Sequence, residues 1–430
     1  MNSGFGRFMK HVIALMLGSA AVGTLLLVLV FLLPEEPILE HVAEDVSEMI
    51  RQEEQIPESG LENYIWTKKE TYTDTIMVQN AMEKIEGKTA YEHAMWVYHN
   101  DVAEEIWEPE ASLSAICAKA DTSGMYLHTY ARYWHGYLIY LKPLLMFLSW
   151  KQVICLGILV QLALMAAVVF VVLRKWSWEM AVVLAAGLFF MKPLLVHISL
   201  TMSVCWIITL AALLFMLLRH DWLEQKKCYP EFFLAVGIAT AYFDFLTYPV
   251  VTLGFPLCMC FLMRREKSAK EHILSFMCNC VGWGLGYGGM WAMKWVIADL
   301  TLHTGTIKDA LWSIIGRTES IGGRPRFNGG FYVIGLNLKE YDMVIYTVAA
   351  VLVVVAALLA TVAAARTAGV KYVIGQLAPF GLIFCIPFVW IILVQHHSAL
   401  HARFTFRILS VAILALSCMG AKGVYIIRKK

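Results

Sequence analysis

Ten long apolar runs, with charged residues sorted between their two ends, constrain this 430-residue chain more than any other feature. About 20 apolar residues in a helix cross the hydrocarbon of a bilayer. Backbone in hydrocarbon must pair its own polar groups, which restricts crossing segments to helices or closed barrels. With 59% hydrophobic residues and a mean hydropathy of +0.63, the composition excludes a soluble domain. It predicts an all-α, polytopic transmembrane helix bundle. Spans are predicted near 11–33, 152–173, 178–197, 199–218, 231–247, 249–263, 273–299, 343–365, 372–394 and 406–426.

Charge decides the less clear boundaries. The stretch between Lys175 and Arg219 holds 43 residues, enough for two spans. Glu231–Met263 has 33 residues, long for one span and short for two. Lys226-Lys227 precede it and Arg264-Arg265, Lys267 and Lys270 follow it, so positive charge at both ends favours a hairpin. Its apex falls near Thr247-Tyr248-Pro249, because Pro249 lacks a backbone donor and breaks the helix. Continuing the count puts both termini, Arg366, Lys371 and Arg428-Lys429-Lys430 on the cytoplasmic side of a cell membrane, with 16 Lys/Arg in the inner segments. Arg7 and Lys10 before the first apolar run resemble a signal sequence; no small-residue cleavage site precedes Pro34, so an uncut anchor over 1–33 is expected.

Two outer segments follow. Pro34–Tyr133 carries 21 Asp/Glu against 7 Lys/Arg and has helix-like patterning at Asp74–Glu86 and Ala90–Trp107. Tyr64, Trp66, Trp96, Tyr98 and Trp107 are expected to build a small core, giving an extracytoplasmic domain over 34–136. The cluster Tyr133-Trp134-His135-Gly136-Tyr137 suits a headgroup interface. The short run Tyr137–Ser149, with Lys142-Pro143, suits an interfacial or re-entrant helix at the start of the multi-pass bundle over 137–430. The second outer loop, 301–342, holds Arg317, Arg324 and Arg326 among Gly322-Gly323 and Gly329-Gly330. Gly282, Gly284, Gly286, Gly288 and Gly289 suit close helix packing. They are not a nucleotide loop, because no strand precedes them. Of ten cysteines only Cys117 lies in the first outer loop, so no disulfide staples it. Cys258/Cys260 and Cys278/Cys280 read as packing residues, and no metal or other cofactor is expected.

Ionisable side chains in hydrocarbon cost about 2.5–3.5 kcal/mol each, so those near the outer face mark a candidate site. Arg317, Arg326, Arg403 and Arg407 offer planar forks that match phosphate; pairing with the acidic loop or with lipid headgroups is the bland alternative. His397 and His401, four apart, share a helix face and suit hydrogen bonds to a phosphate or sugar. No Glu follows the first His, so a zinc-protease motif is excluded. Lys192 and His197 sit near the outer end of the third span, where Lys192 also suits snorkelling to the headgroups. Asp244 is either a base or sugar-hydroxyl ligand, or else a salt-bridge partner of Lys192 or Arg407 or a cap on broken backbone. Asp74 is either a helix cap or the general base, with Glu35-Glu36 as the competing carboxylates. No basic patch set among aromatics points to nucleic acid.

The early large outer loop, the segment 137–149 and the late loops with Arg and His together resemble the GT-C superfamily of polyprenyl-phosphate-dependent membrane glycosyltransferases. Tyr133–Tyr137, Asp244–Pro249 and His397–Arg403 also resemble a set of multi-pass membrane proteins of Gram-positive bacteria. The superfamily resemblance implies transfer of a sugar from a polyprenyl-phosphate-linked donor in the membrane lipid to a cell-envelope glycan, lipid or protein. An acidic residue of the first outer loop would activate the acceptor, with Glu35, Glu36 and Asp74 as candidates; Asp244 is the second catalytic candidate. A transporter or flippase of lipid-linked intermediates, and an envelope polymer ligase, are the competing expectations.

Overall fold

A computed structural model of the chain describes residues 2–50, 70–106, 108–264 and 268–429. Tyr64, Trp66, Trp107, Arg265, Lys267 and Lys430, named above, lie outside the described residues. The chain opens with α1 (Asn2–Val30). A domain follows, made of α2 (Glu36–Ile50), α3 (Tyr72–Met82), α4 (Ala90–Trp96), β1 (Tyr98–Asp101), α5 (Pro109–Cys117) and β2 (Tyr126–Thr129). The chain then re-enters the bundle through α6 (Leu138–Leu145), α7 (Trp150–Val171), α8 (Trp178–Phe190), α9 (Pro193–His197) and α10 (Leu200–Lys226). The hairpin α11 (Tyr229–Phe243) and α12 (Val250–Met263) precedes the 34-residue α13 (Ala269–Leu302). Finally come α14 (Thr306–Thr318), α15 (Arg326–Lys339), α16 (Val344–Ala368), α17 (Val370–Leu393), α18 (Gln395–Leu400), α19 (Ala402–Thr405) and α20 (Ser410–Lys429).

The fold is an all-α helical bundle with one small two-stranded sheet. Among the described residues, six helical runs are long and apolar enough to cross a membrane: Gly6–Val30, Trp150–Trp176, Leu200–Lys226, Val344–Ala368, Val370–Leu393 and Ala402–Lys429. They point to a membrane protein. The predicted segments 178–197, 231–247 and 249–263 are also helical, but as α8, α11 and α12 of 13, 15 and 14 residues, about 20 Å each at 1.5 Å per residue. Pro249 begins α12, and the chain turns at 244–249 as its missing donor predicts.

Contacts sort the helix ends into two groups. At one end, His11 meets Glu231 (3.0 Å), Arg428 meets Glu179 (2.8 Å), and Lys422 donates to the Arg264 carbonyl (2.9 Å). This basic end gathers the Lys/Arg clusters. At the other end, the 34–136 domain docks. Trp134 Nε1 donates to the Met290 carbonyl (2.6 Å), Lys294 to the Ala94 and Met95 carbonyls, and Gly136 N to the Tyr242 carbonyl (2.9 Å). The domain and bundle share one core, running from Ile38, Val42 and Leu113 through Tyr137 and Leu141 into the helices.

Glycine sets the closest packing. A Cβ at Gly286 of α13 would lie 2.2 Å from the Leu234 carbonyl oxygen of α11, and one at Gly237 would lie 2.2 Å from that of Trp283. Gly282 is equally tight against Pro230, and Gly289 faces Met16 of α1. Gly284 and Gly288 face open space, so the packing role belongs to part of the cluster.

One expectation is corrected. Ala90–Trp107 is not one helix: α4 stops at Trp96, Val97 adopts φ 46°, and the chain becomes β1, which pairs antiparallel with β2. Antiparallel pairing with β2 over 98–101 outweighs the helix-like pattern. The segment 137–149, expected as an interfacial or re-entrant helix, holds the short helix α6, one face of which is buried in the protein. Lys142 of α6 is fully buried between α1 and α3, donates to the Ala81 carbonyl (2.8 Å), and lies 3.8 Å from Glu35.

Candidate functional site

At the domain end, the turn between α11 and α12 is the centre around which the predicted residues gather. Asp244 ends α11 and is buried. Its carboxylate accepts from the Thr247 backbone (3.0 Å) and from the Thr247 hydroxyl, closing an Asx-type turn. It makes no salt bridge to Lys192 or Arg407 among the described residues. Its role is the cap on broken backbone. The turn presents Phe245, which packs against Tyr130, Tyr133, His135 and Tyr137 of the domain at ring distances of 5.1–6.2 Å.

His397 of α18 holds the same turn, its Nε2 meeting the Leu246 carbonyl at 2.8 Å. The His401 ring lies 4.7 Å from that of His397 and stacks on Phe404. Burial lowers the His397 pKa well below the ordinary imidazole value and that of His401 to about 4, with neighbouring cations adding to the effect. Both rings are therefore neutral at physiological pH. Arg317 of α14 stands 5.6 Å from the centre of the Tyr133 ring. Arg403 of α19 makes a 2.6 Å ion pair with Glu70, whose other oxygen accepts from the backbone and hydroxyl of Thr73. Arg317, His397, His401 and Arg403 are thus brought together at the surface shared by domain and bundle.

Other predicted residues stand elsewhere. Asp74 of α3 is buried, and both its oxygens serve the start of α10. They accept from Leu200 N (2.8 Å), Thr201 N (2.8 Å) and the Ser199 hydroxyl (3.2 Å). Burial pushes its pKa up to about 7 against these hydrogen bonds. Asp74 therefore caps a helix, though α10 and not its own. His197 lies on α9 against α7, where Gln161 donates to its carbonyl (3.3 Å). Arg326 is exposed and covers the Thr318 and Leu393 carbonyls (3.3 and 3.1 Å). Lys192 and Arg407 are buried together beside the site, within a shell of Tyr341, Tyr346 and Phe406. Glu35 pairs with Lys84 at 3.0 Å.

Sequence reasoning missed a carboxylate. Asp101 ends β1 and is fully buried; its carboxylate lies 3.4 Å from His128 Nε2 and 3.8 Å from His99 Nε2, with the Glu108 backbone N–H also interacting with it. His99 lies two residues before it on the same strand face, and β-pairing places His128 directly opposite His99. Burial pushes the Asp101 pKa up to about 6 and the His99 pKa down to about 4. The Tyr72 phenol lies among Asp101, Tyr130, Glu110 and Glu70, whose charges add to burial in raising its pKa. Glu70 is also the ion-pair partner of Arg403. The sequence signal was a His-x-Asp alternation with a second His in a later apolar–polar alternating stretch. Among the described residues, no three or more His, Cys, Asp and Glu side chains are arranged to hold a metal ion.

A cavity of about 600 Å³ lies at the opposite, basic end, between α8, α16 and α20, with Glu179, Lys422 and Arg428 on its wall. It is separate from the Arg/His group. No protein family, curated protein or solved structure matches this chain.

Proposed function

We propose that the protein is an integral membrane glycosyltransferase. It moves a sugar from a polyprenyl-phosphate donor to an extracytoplasmic cell-envelope acceptor at the domain end of the bundle. The observation that supports this most is the gathering of Arg317, Arg403, His397 and His401, from three separate helices, beside the buried carboxylates of the 34–136 domain. Guanidinium forks suit phosphate oxygens, and neutral imidazoles suit hydrogen bonds to a sugar or phosphate. In this reading ten helices cross the membrane, the basic end is cytoplasmic, and the domain faces outside, in keeping with the Lys/Arg excess at the basic end.

The acceptor hydroxyl gives its proton to Asp101. Its oxygen bonds to the anomeric carbon as the bond from that carbon to the phosphate oxygen breaks. The electron pair leaves on the phosphate, where Arg317 and Arg403 stabilise the charge in a water-poor site. A lipid phosphate leaves without protonation, so no general acid is needed. Asp101 takes the role of base because Asp74 and Asp244 each hold two or more close donors, whereas the Asp101 carboxylate lies beside two imidazoles with a backbone interaction from Glu108. Because Asp101 is enclosed, the reading requires its surroundings to open for the acceptor.

The deciding experiment measures sugar transfer from polyprenyl-phosphate donors by purified full-length protein. Asp101→Asn is expected to lose about 100-fold or more, the usual scale of a general base. Arg317→Gln and Arg403→Gln are expected to weaken donor binding. Full activity in Asp101→Asn removes the base assignment, and absence of transfer from every such donor removes the proposal. A transport reading draws on the cavity at the basic end, because a carrier needs access from both sides. Movement of a lipid-linked sugar across vesicles without any transfer would decide for it.

A further inference from the structure

Near the domain end α8 and α16 touch: the Phe189 ring stacks on Tyr346 at 4.7 Å, and Phe190 stands 5.7 Å from the same ring. Toward the basic end the two helices flank α20 without closing over it, and the cavity of about 600 Å³ lies in that wedge. Pockets for organic ligands commonly have this size. Glycine seats α20 against both walls. A Cβ at Gly187 of α8 would lie 3.2 Å from Leu414, and one at Gly423 would lie 3.0 Å from the Ala360 carbonyl. Small side chains keep the wedge open: Ala186 of α8, Ala356 and Ala360 of α16, and Gly420 and Ala421 of α20. Val182 and Ala356 on its walls are exposed, so it opens on the apolar outer surface of the bundle. From Trp178 to Ala186 it runs about 12 Å along α8, at 1.5 Å per residue. Its charged groups, Glu179, Lys422 and Arg428, all stand at the wide end, where Trp178 is 63% exposed. Tryptophan in that setting marks headgroup depth.

We infer that the wedge is a binding site for an anionic phospholipid of the leaflet at the basic end. One acyl chain lies between α8 and α16, and the phosphate sits beside Lys422 and Arg428. The chain leaves one apolar medium for another and gains little, so selectivity rests on the head. At the mouth two cations face one carboxylate. Lys422 donates to the Arg264 carbonyl (2.9 Å), and Arg428 pairs with Glu179 through Nη1 (2.8 Å). A guanidinium has five donors, so that pair leaves others for phosphate. Arg174 and Lys175 just before α8, Arg366 in the last turn of α16 and Lys429 after Arg428 add positive charge at the same end. An anionic head meets this excess directly, whereas a zwitterionic head brings its own ammonium against it. The site stands apart from the Arg317–Arg403 group and does not depend on sugar transfer.

The test is thermal unfolding of the full-length protein in a neutral detergent, with added phosphatidylglycerol or phosphatidylcholine of identical chains. The native protein is expected to melt several degrees higher with phosphatidylglycerol than with phosphatidylcholine. Arg428→Gln, at an exposed position that the fold tolerates, should lose most of that difference. Ala356→Phe fills the wedge from its open side and should lose it too, with every charge in place. Lys226→Gln removes an exposed cation of the same end away from the wedge and should keep the difference. Equal gains from the two lipids would overturn the inference, since a chain alone would then fill the wedge. Loss of the difference in Lys226→Gln as large as in Arg428→Gln would overturn it as well, by showing a diffuse surface charge and no site. So would a native dimer that Ala356→Phe converts to monomer, because a second copy of the chain would then cover the wedge.

Discussion

Three buried aspartates at the domain end differ in what occupies their oxygens, and that difference assigns their roles. Asp74 faces three donors at the start of α10. An Asn there turns an amide NH₂ toward backbone N–H groups. Asp74→Asn is therefore expected to cost about 1–3 kcal/mol of stability, read by thermal unfolding, while activity per folded molecule persists. Loss of activity at unchanged stability would return Asp74 to the catalytic role. Burial raises the Asp101 pKa to about 6 from the ordinary aspartate value of 3.8. Its favourable contribution to stability is full below about pH 3.8 and is lost as pH rises through about 6. The same ionisation makes it a base, so transfer should rise with pH through about 6, and this limb should vanish in whatever activity Asp101→Asn retains. A profile flat from pH 5 to 7 in the native enzyme would dismiss Asp101. That Arg317, His397, His401 and Arg403 share one end of the bundle was legible because charge in apolar sequence is conspicuous. The caps were not, because nothing in the chain around Asp74 says that residues 199–201 arrive above it.

Among the elements, α11 and α13 show packing that one methyl group disturbs. Gly286→Ala gains about 1 kcal/mol of helix propensity but drives a Cβ to 2.2 Å from the Leu234 carbonyl, which belongs to backbone and has little freedom to move. The clash wins, and a net loss of about 1–3 kcal/mol is expected in thermal unfolding. Gly284→Ala, two residues away and facing open space, should be neutral or stabilising by up to about 1 kcal/mol. Equal effects from both would show that α13 does not lie on α11 as described. The capping box Thr89–Glu92 that starts α4 went unread, whereas the break at 244–249 was readable from Pro249. The strands were not. Each has four residues and gains its identity only from pairing across an intervening helix, which no local pattern records.

At the scale of the molecule, direction of travel carries the topology. α8 starts at the basic end beside Arg428 and leads to Lys192, which meets the Glu340 carbonyl. α10 runs back from Asp74 to Glu224, which pairs with Arg264. α11 rises from His11 to the Gly136 contact, and α12 descends to Arg264. α13 climbs from Ser275, beside Arg264, to Lys294 under α4. The short or more polar helices therefore run between the same two ends as the six long ones, so each pairs one reversal with the next. An even number of traverses brings the start of α1 and the end of α20 to the basic end together. If the basic end is cytoplasmic, exposed Lys226 lies inside and exposed Thr122 of the domain lies outside. A membrane-impermeant maleimide added to intact cells should then modify Thr122→Cys and spare Lys226→Cys until the membrane is opened, over the background of the native cysteines. The reverse pattern would invert the molecule, put the Arg317–Arg403 group in the cytoplasm, and end the case for extracytoplasmic sugar transfer.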